Sequence, residues 1–81
     1  MANRELLKNW VFDAVKALGG EAQVKDVARH IWENHEAELR KSGDLFYTWQ
    51  YDMRWAAQHL RRDKRFAPMP GRSNRKWALA V

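Results

Sequence analysis

Not one of the 81 residues of this chain is a cysteine. At this length that removes the braces that small domains often use in place of a large core. Neither a disulfide nor a thiolate-bound metal can hold the fold, so burial of apolar surface must do it. The rest of the composition suits that demand: 46% of the residues are apolar and five are tryptophan. Each large aromatic that is buried withdraws roughly 150–250 Å² from water. A chain so rich in large apolar residues is not a disordered basic tail, and one domain spanning 1–81 is the natural division at this size. The absence of cysteine fits a reducing compartment. The start, Met1-Ala2-Asn3-Arg4-Glu5, lacks the apolar stretch of a secretory signal. No apolar run nears the roughly 20 residues that cross a bilayer. The expectation is a cytoplasmic protein with no membrane association.

Periodicity divides the chain. Leu6, Leu7, Trp10, Val11, Ala14, Val15 and Leu18 recur at the three-and-four spacing of one buried stripe, which predicts a helix over about 4–18. Asn3 is placed to cap it. Gly19-Gly20 ends it, because glycine tolerates the left-handed backbone found just past a helix C-terminus. A brief extended piece is expected at Glu21-Ala22-Gln23. A second helix is expected over about 24–34, with Val24, Val27, Ala28, Ile31 and Trp32 inward. Ser42-Gly43-Asp44 marks a loop, with a helical turn allowed at 37–41 before it. A third helix is expected over about 48–62, capped by Thr48, with Trp49, Met53, Ala56, Ala57 and Leu60 inward. Pro68 and Pro70 then exclude helix, and Gly71-Arg72-Ser73-Asn74 carries turn residues. From Lys76 to Val81 the pattern alternates, with Trp77, Leu79 and Val81 on one side. This predicts a hairpin over about 65–81. The fold class is therefore mainly α with a small β-hairpin, and the element order is that of a winged helix: a three-helix helix-turn-helix body followed by a C-terminal wing.

Charge is distributed unevenly along this framework. Residues 1–46 carry seven Lys/Arg against eight Asp/Glu, whereas residues 47–81 carry eight against two, a net of +6. A basic face on a body that is otherwise near neutral points to a polyanionic partner, with nucleic acid ahead of anionic lipid. On the third helix Tyr51, Arg54, Trp55, Gln58 and Arg62 fall opposite the core side. Arg54 and Gln58 are suited to base edges, since arginine pairs with guanine and glutamine with adenine through forked hydrogen bonds. Tyr51 and Arg62 are suited to phosphates, and Arg61 beside them is counted with the DNA-binding residues. The turn residues Arg72, Ser73, Asn74, Arg75 and Lys76 combine three cations with small polar groups, which fits a phosphate backbone or a minor groove. Trp10, Trp32, Trp49 and Trp77 are read as core and Trp55 as partly so.

The run Leu18-Gly19-Gly20-Glu21 through Val24-Lys25-Asp26-Val27 resembles the N-terminal winged-helix domain of Mrr-type restriction proteins. So do the segment from Tyr51 to Arg62, with Arg54-Trp55-Ala56 its most specific triplet, and the closing Gly71 to Leu79. The resemblance follows most of the chain in order, through short motifs. It implies a domain that binds double-stranded DNA, of a kind usually fused to a nuclease domain; no cleavage activity is carried over by the segments that match.

Other chemistry is not expected. His30 and His35 are five residues apart, which does not stack them on one helical face as metal ligands, and His59 lies beside Arg61 and Arg62. No metal site and no cofactor follow. Only Ser42, Ser73 and Thr48 offer hydroxyl nucleophiles, Glu33, Glu36 and Glu38 read as a solvated helix end, and no phosphate-cradling glycine loop occurs, so an enzyme is not expected. The alternative function is a protein-interaction module that uses exposed aromatics, namely Phe12, Phe46 and Tyr47. Phe12, which lies off the first helix's stripe, is the candidate contact for a homodimer or protein partner. Double-stranded RNA ranks below both, because no RNA-binding motif is present.

Overall fold

The computed structural model describes residues 3–67 and 76–79. The described chain is mainly helical, with a small antiparallel sheet: α1 (Arg4–Ala17), β1 (Glu21–Gln23), α2 (Val24–Arg40), α3 (Leu45–Arg62) and β2 (Lys76–Ala78). None of these helices is long and apolar enough to cross a membrane.

α1 starts where the sequence places it. The Asn3 side chain accepts a hydrogen bond from the backbone N–H of Leu6 at 2.8 Å, which satisfies one of the donors left open at a helix start. The helix ends through paired reverse bonds, Gly20 N–H to the Val15 carbonyl at 2.9 Å and Gly19 N–H to that of Lys16 at 3.2 Å. This closure needs a left-handed residue after the cap, and Gly19 supplies it at φ +100°. A Cβ on Gly19 would meet nothing within 4 Å, so backbone conformation and not space calls for glycine. α3 closes in the same way, with Arg65 N–H to Leu60 at 2.8 Å and Lys64 N–H to Arg61 at 3.0 Å. There the left-handed position holds Lys64, at φ 62°.

α2 runs past its expected end. Its backbone leaves helical geometry at His35 (φ −133°, ψ 20°) and then resumes to Arg40. The expected stop near 34–35 and the expected turn at 37–41 are thus one kinked helix. α3 begins at Leu45, not at Thr48. Reverse-turn bonds from Leu45 to Ser42 and from Phe46 to Gly43 start the coil early, and burial of Leu45 fixes it. Thr48 is therefore no cap: its hydroxyl sits inside α3, 2.9 Å from Oδ2 of Asp52.

The sheet corrects the expected hairpin. β2 pairs mainly with β1, Ala22 opposite Trp77, and touches the 65–67 segment through a single antiparallel bridge, Phe66 to Leu79. The Ala67 N–H also bonds the Ala78 carbonyl at 2.9 Å. β2 therefore lies between β1 and the Phe66 segment. The turn residues 68–75, and Val81, lie outside the described residues.

The core joins all three helices and the sheet, with Leu7, Val11, Val15, Val27, Ile31, Leu60 and Phe66 inaccessible or nearly so. Leu39, on the part of α2 that continues past its expected end, is fully buried with them. Three expectations fail. Leu18 caps α1 and is exposed. Trp32 is only partly buried, packed on Trp49 with ring centroids 6.0 Å apart. Phe12, read as a free contact surface, is half-buried against Phe66, and the Arg65 guanidinium lies 4.2 Å from its ring centroid. Phe12 and Trp32 lie at the edges of their stripes, where a neighbouring element settles exposure, whereas Leu18 is in phase with its stripe but stands one residue beyond the end of α1.

Candidate nucleic-acid interface

α3 presents three sides. Trp49, Met53, Ala56, Ala57 and Leu60 face the core. A second side meets α1 and carries the acidic groups of the helix. Asp52 is 6% exposed and lies 3.6 Å from the Arg4 guanidinium. Asp63, at the C-cap, lies 3.7 Å from the Lys8 ammonium. The Arg4 guanidinium also stands over Trp55, 4.8 Å from the ring centroid. Trp55 is half-buried there, between α1 and His59, so it supports the α1 contact.

The third side faces outward. Tyr47, Tyr51, Arg54 and Gln58 are all exposed and follow one another at spacings of four, three and four, which aligns them in one line along the helix. Tyr47 and Tyr51 are the most open large aromatics, at 83% and 78%. Arg61 and Arg62 continue the line at the C-terminal end. Burial lowers the pKa of the half-buried Arg61 from its ordinary value, but a guanidinium stays charged throughout the physiological range. Arg62 donates to Nδ1 of His59 at 2.8 Å, which draws it toward the α1 side. Among the described residues no ion pair engages Arg54, Arg61 or Arg62, and no carboxylate shares their line.

The residues singled out by sequence are therefore only partly brought together. Tyr51, Arg54, Gln58, Arg61 and Arg62 form one continuous outward surface. Lys76 does not belong to it as a free cation: it is half-buried on β2 and its ammonium lies 3.1 Å from Glu21. Cross-strand geometry explains this, since Gln23 opposes Lys76 and a long side chain reaches the diagonal neighbour on β1. Arg72, Ser73, Asn74 and Arg75 lie outside the described residues. Tyr47 was assigned to a different surface, yet it extends the same line; its four-residue spacing from Tyr51 is the signal that a helix starting at Thr48 hid. Phe46, grouped with it as exposed, is half-buried, tilted against Trp32 at 6.4 Å and edge-on to Tyr47 at 5.1 Å.

His35 and His59 each pack on a tryptophan. His35 stacks on Trp10, centroids 4.0 Å apart and rings within 7° of parallel, at the kink of α2. Burial first, then the neighbouring His30, holds its pKa below the ordinary histidine value. Among the described residues no group of three or more His, Asp or Glu is arranged to hold a metal ion.

Comparison of the chain with protein-family models, with curated proteins and with solved structures finds no match. What the fold and surface define is a class of molecule: a small three-helix domain with a two-stranded sheet and a cationic, aromatic line along its third helix.

Proposed function

We propose that this chain is a winged-helix domain that binds double-stranded DNA in the cytoplasm, similar to the N-terminal domain of Mrr-type restriction proteins. α3 lies in the major groove, and the basic segment Arg72 to Arg75 follows the backbone. The observation that carries the reading is the division of charge on α3: Asp52 and Asp63 are drawn to α1 cations, while Arg54, Gln58 and Arg61 face outward with no carboxylate among them. A helix of about 12 Å diameter with such a face matches the width of the major groove. The antiparallel contacts of β2 with β1 and with the Phe66 segment support the winged-helix reading.

In this reading Arg54 and Gln58 touch base edges, while Tyr51, Arg61 and Arg62 touch phosphates and sugars. Binding is electrostatic, so log K falls with log salt at about 0.9 per neutralised phosphate. The experiment is fluorescence anisotropy of a labelled random-sequence duplex at two salt concentrations. Salt-sensitive binding that weakens at least tenfold in Arg54→Ala/Arg61→Ala is expected. Absence of binding at low salt overturns the proposal and favours the protein-interaction reading, whose remaining exposed aromatics are Tyr47 and Tyr51.

A further inference from the structure

Beside the outward line of α3 runs an open groove of about 510 Å³ between α2 and the first turns of α3, lined among others by Lys25, Arg29, Trp32, Phe46, Trp49 and Gln50. Lys25 and Arg29 are exposed and four residues apart on α2, hence neighbours on one face. Among the described residues neither is in an ion pair. Lys25 also stands in the first turn of a long helix, where the backbone dipole disfavours a cation. Helix stability therefore gives no reason for a lysine there. The acidic neighbours Glu21, Asp26 and Glu33 line a second hollow with His30, which Arg29 also borders.

The floor of the groove is aromatic but not open for stacking. Trp32 lies parallel to Trp49, and the Arg40 guanidinium covers it at 5.4 Å from the ring centroid. Rings engaged in this way offer apolar edges rather than free faces, which suits the edge of a sugar better than an intercalated base. Gln50 forms the rim, one helical turn from Arg54. The groove thus borders the surface placed in the major groove.

We propose that the α2–α3 groove seats one sugar–phosphate strand of the duplex, with Lys25 and Arg29 on consecutive phosphates and the edges of Trp32 and Phe46 against the sugars. The proposal rests on the DNA-binding reading above and adds to it a contact from the half of the chain that carries no net positive charge.

The test measures duplex affinity against salt for the wild type, for Lys25→Ala/Arg29→Ala and for the charge-preserving Lys25→Arg/Arg29→Lys. Both positions are exposed and alanine favours helix, so circular dichroism should confirm an intact fold. Each lost phosphate contact lowers the slope of log K against log salt by about 1. The alanine pair should therefore lose about 2 units of slope, with equal weakening on unrelated sequences, and the swapped pair should keep the wild-type slope. An unchanged slope in the alanine pair overturns the groove contact and leaves the DNA reading intact. A loss confined to one sequence overturns the assignment to the backbone. A wild type that binds no duplex overturns both and leaves the groove to an acidic protein segment.

Discussion

The two flanks of α3 are built on opposite electrostatic plans. On the α1 flank both carboxylates of the α3 segment are answered, Asp52 by Arg4 and the Thr48 hydroxyl and Asp63 by Lys8, and the Arg4 guanidinium also stands over the Trp55 ring. On the α2 flank Lys25 and Arg29 stand without ion pairs among the described residues, beside a groove that is left open. The lesson is that net charge and presented charge differ. The net of +6 over residues 47–81 includes both carboxylates of that segment, and tertiary contacts withdraw both from the outward side. Lys76 is withdrawn as well, by Glu21, so the sum over the segment does not describe any one face of it.

The comparison can be broken most forcefully at the core they share. Leu60 is fully buried beneath both flanks, so Leu60→Ala should cost about 3 kcal/mol, within the range for cavity-forming leucine truncations. For a domain of this size that shifts the melting temperature by more than about 10 °C. A loss under about 1 kcal/mol in a urea titration would mean that α3 is not anchored as described. The next effect separates the flanks. Asp52→Ala removes a hydrogen-bonded, buried carboxylate and should cost about 1–2 kcal/mol. Asp52→Asn keeps a partner for Thr48 and loses only the pairing with the half-exposed Arg4, for about 0.5 kcal/mol or less. Arg54→Ala, on the open side, should change stability by no more than about 0.5 kcal/mol while weakening DNA binding. Equal stability losses at Asp52 and Arg54 would erase the distinction.

The smallest effect concerns how α2 is held to α1. The seam there relies on the stacked His35 and Trp10 rings rather than on ion pairs. Burial and His30 lower the folded-state pKa of His35, while Asp13 and Glu38 oppose this less strongly. Between the lowered folded value and the ordinary unfolded value near 6.5, the unfolded chain binds more protons. The stability linked to His35 is therefore fully present above pH of about 6.5 and is lost as pH falls through the lowered folded value. His35→Phe keeps a ring on Trp10 and should flatten that part of the pH–stability curve in thermal melts. An unchanged curve would show that the stack is not coupled to protonation.

Much of this molecule was legible locally. The Asn3 cap, the Gly19-Gly20 stop and the inward stripe of α3 all follow from backbone rules that act over a few residues, and each stands in the structure; of the alternation from Lys76 on, Trp77 is buried and Leu79 partly so, while Val81 lies outside the described residues. The break in α2 was legible too, though as a stop and not as a kink. Leu45 and Phe46 were not legible as helix, because a short polar loop signal at Ser42-Gly43-Asp44 conceals a helix start that only burial of Leu45 stabilises. Phe12 and Phe46 looked free because helical phase cannot report a neighbour from another element.

The sequence by itself determined where α1 begins and ends, which side of each helix is apolar, and that positive charge concentrates after residue 46. These are properties of spacing and local backbone preference, and they need no partner element. Only the tertiary structure decided which charges are neutralised, that β2 pairs with β1 more than with the Phe66 segment, and that Lys25 and Arg29 border the outward line of α3. Those outcomes depend on contacts between residues far apart in the chain, and no periodicity within a single element encodes such distances.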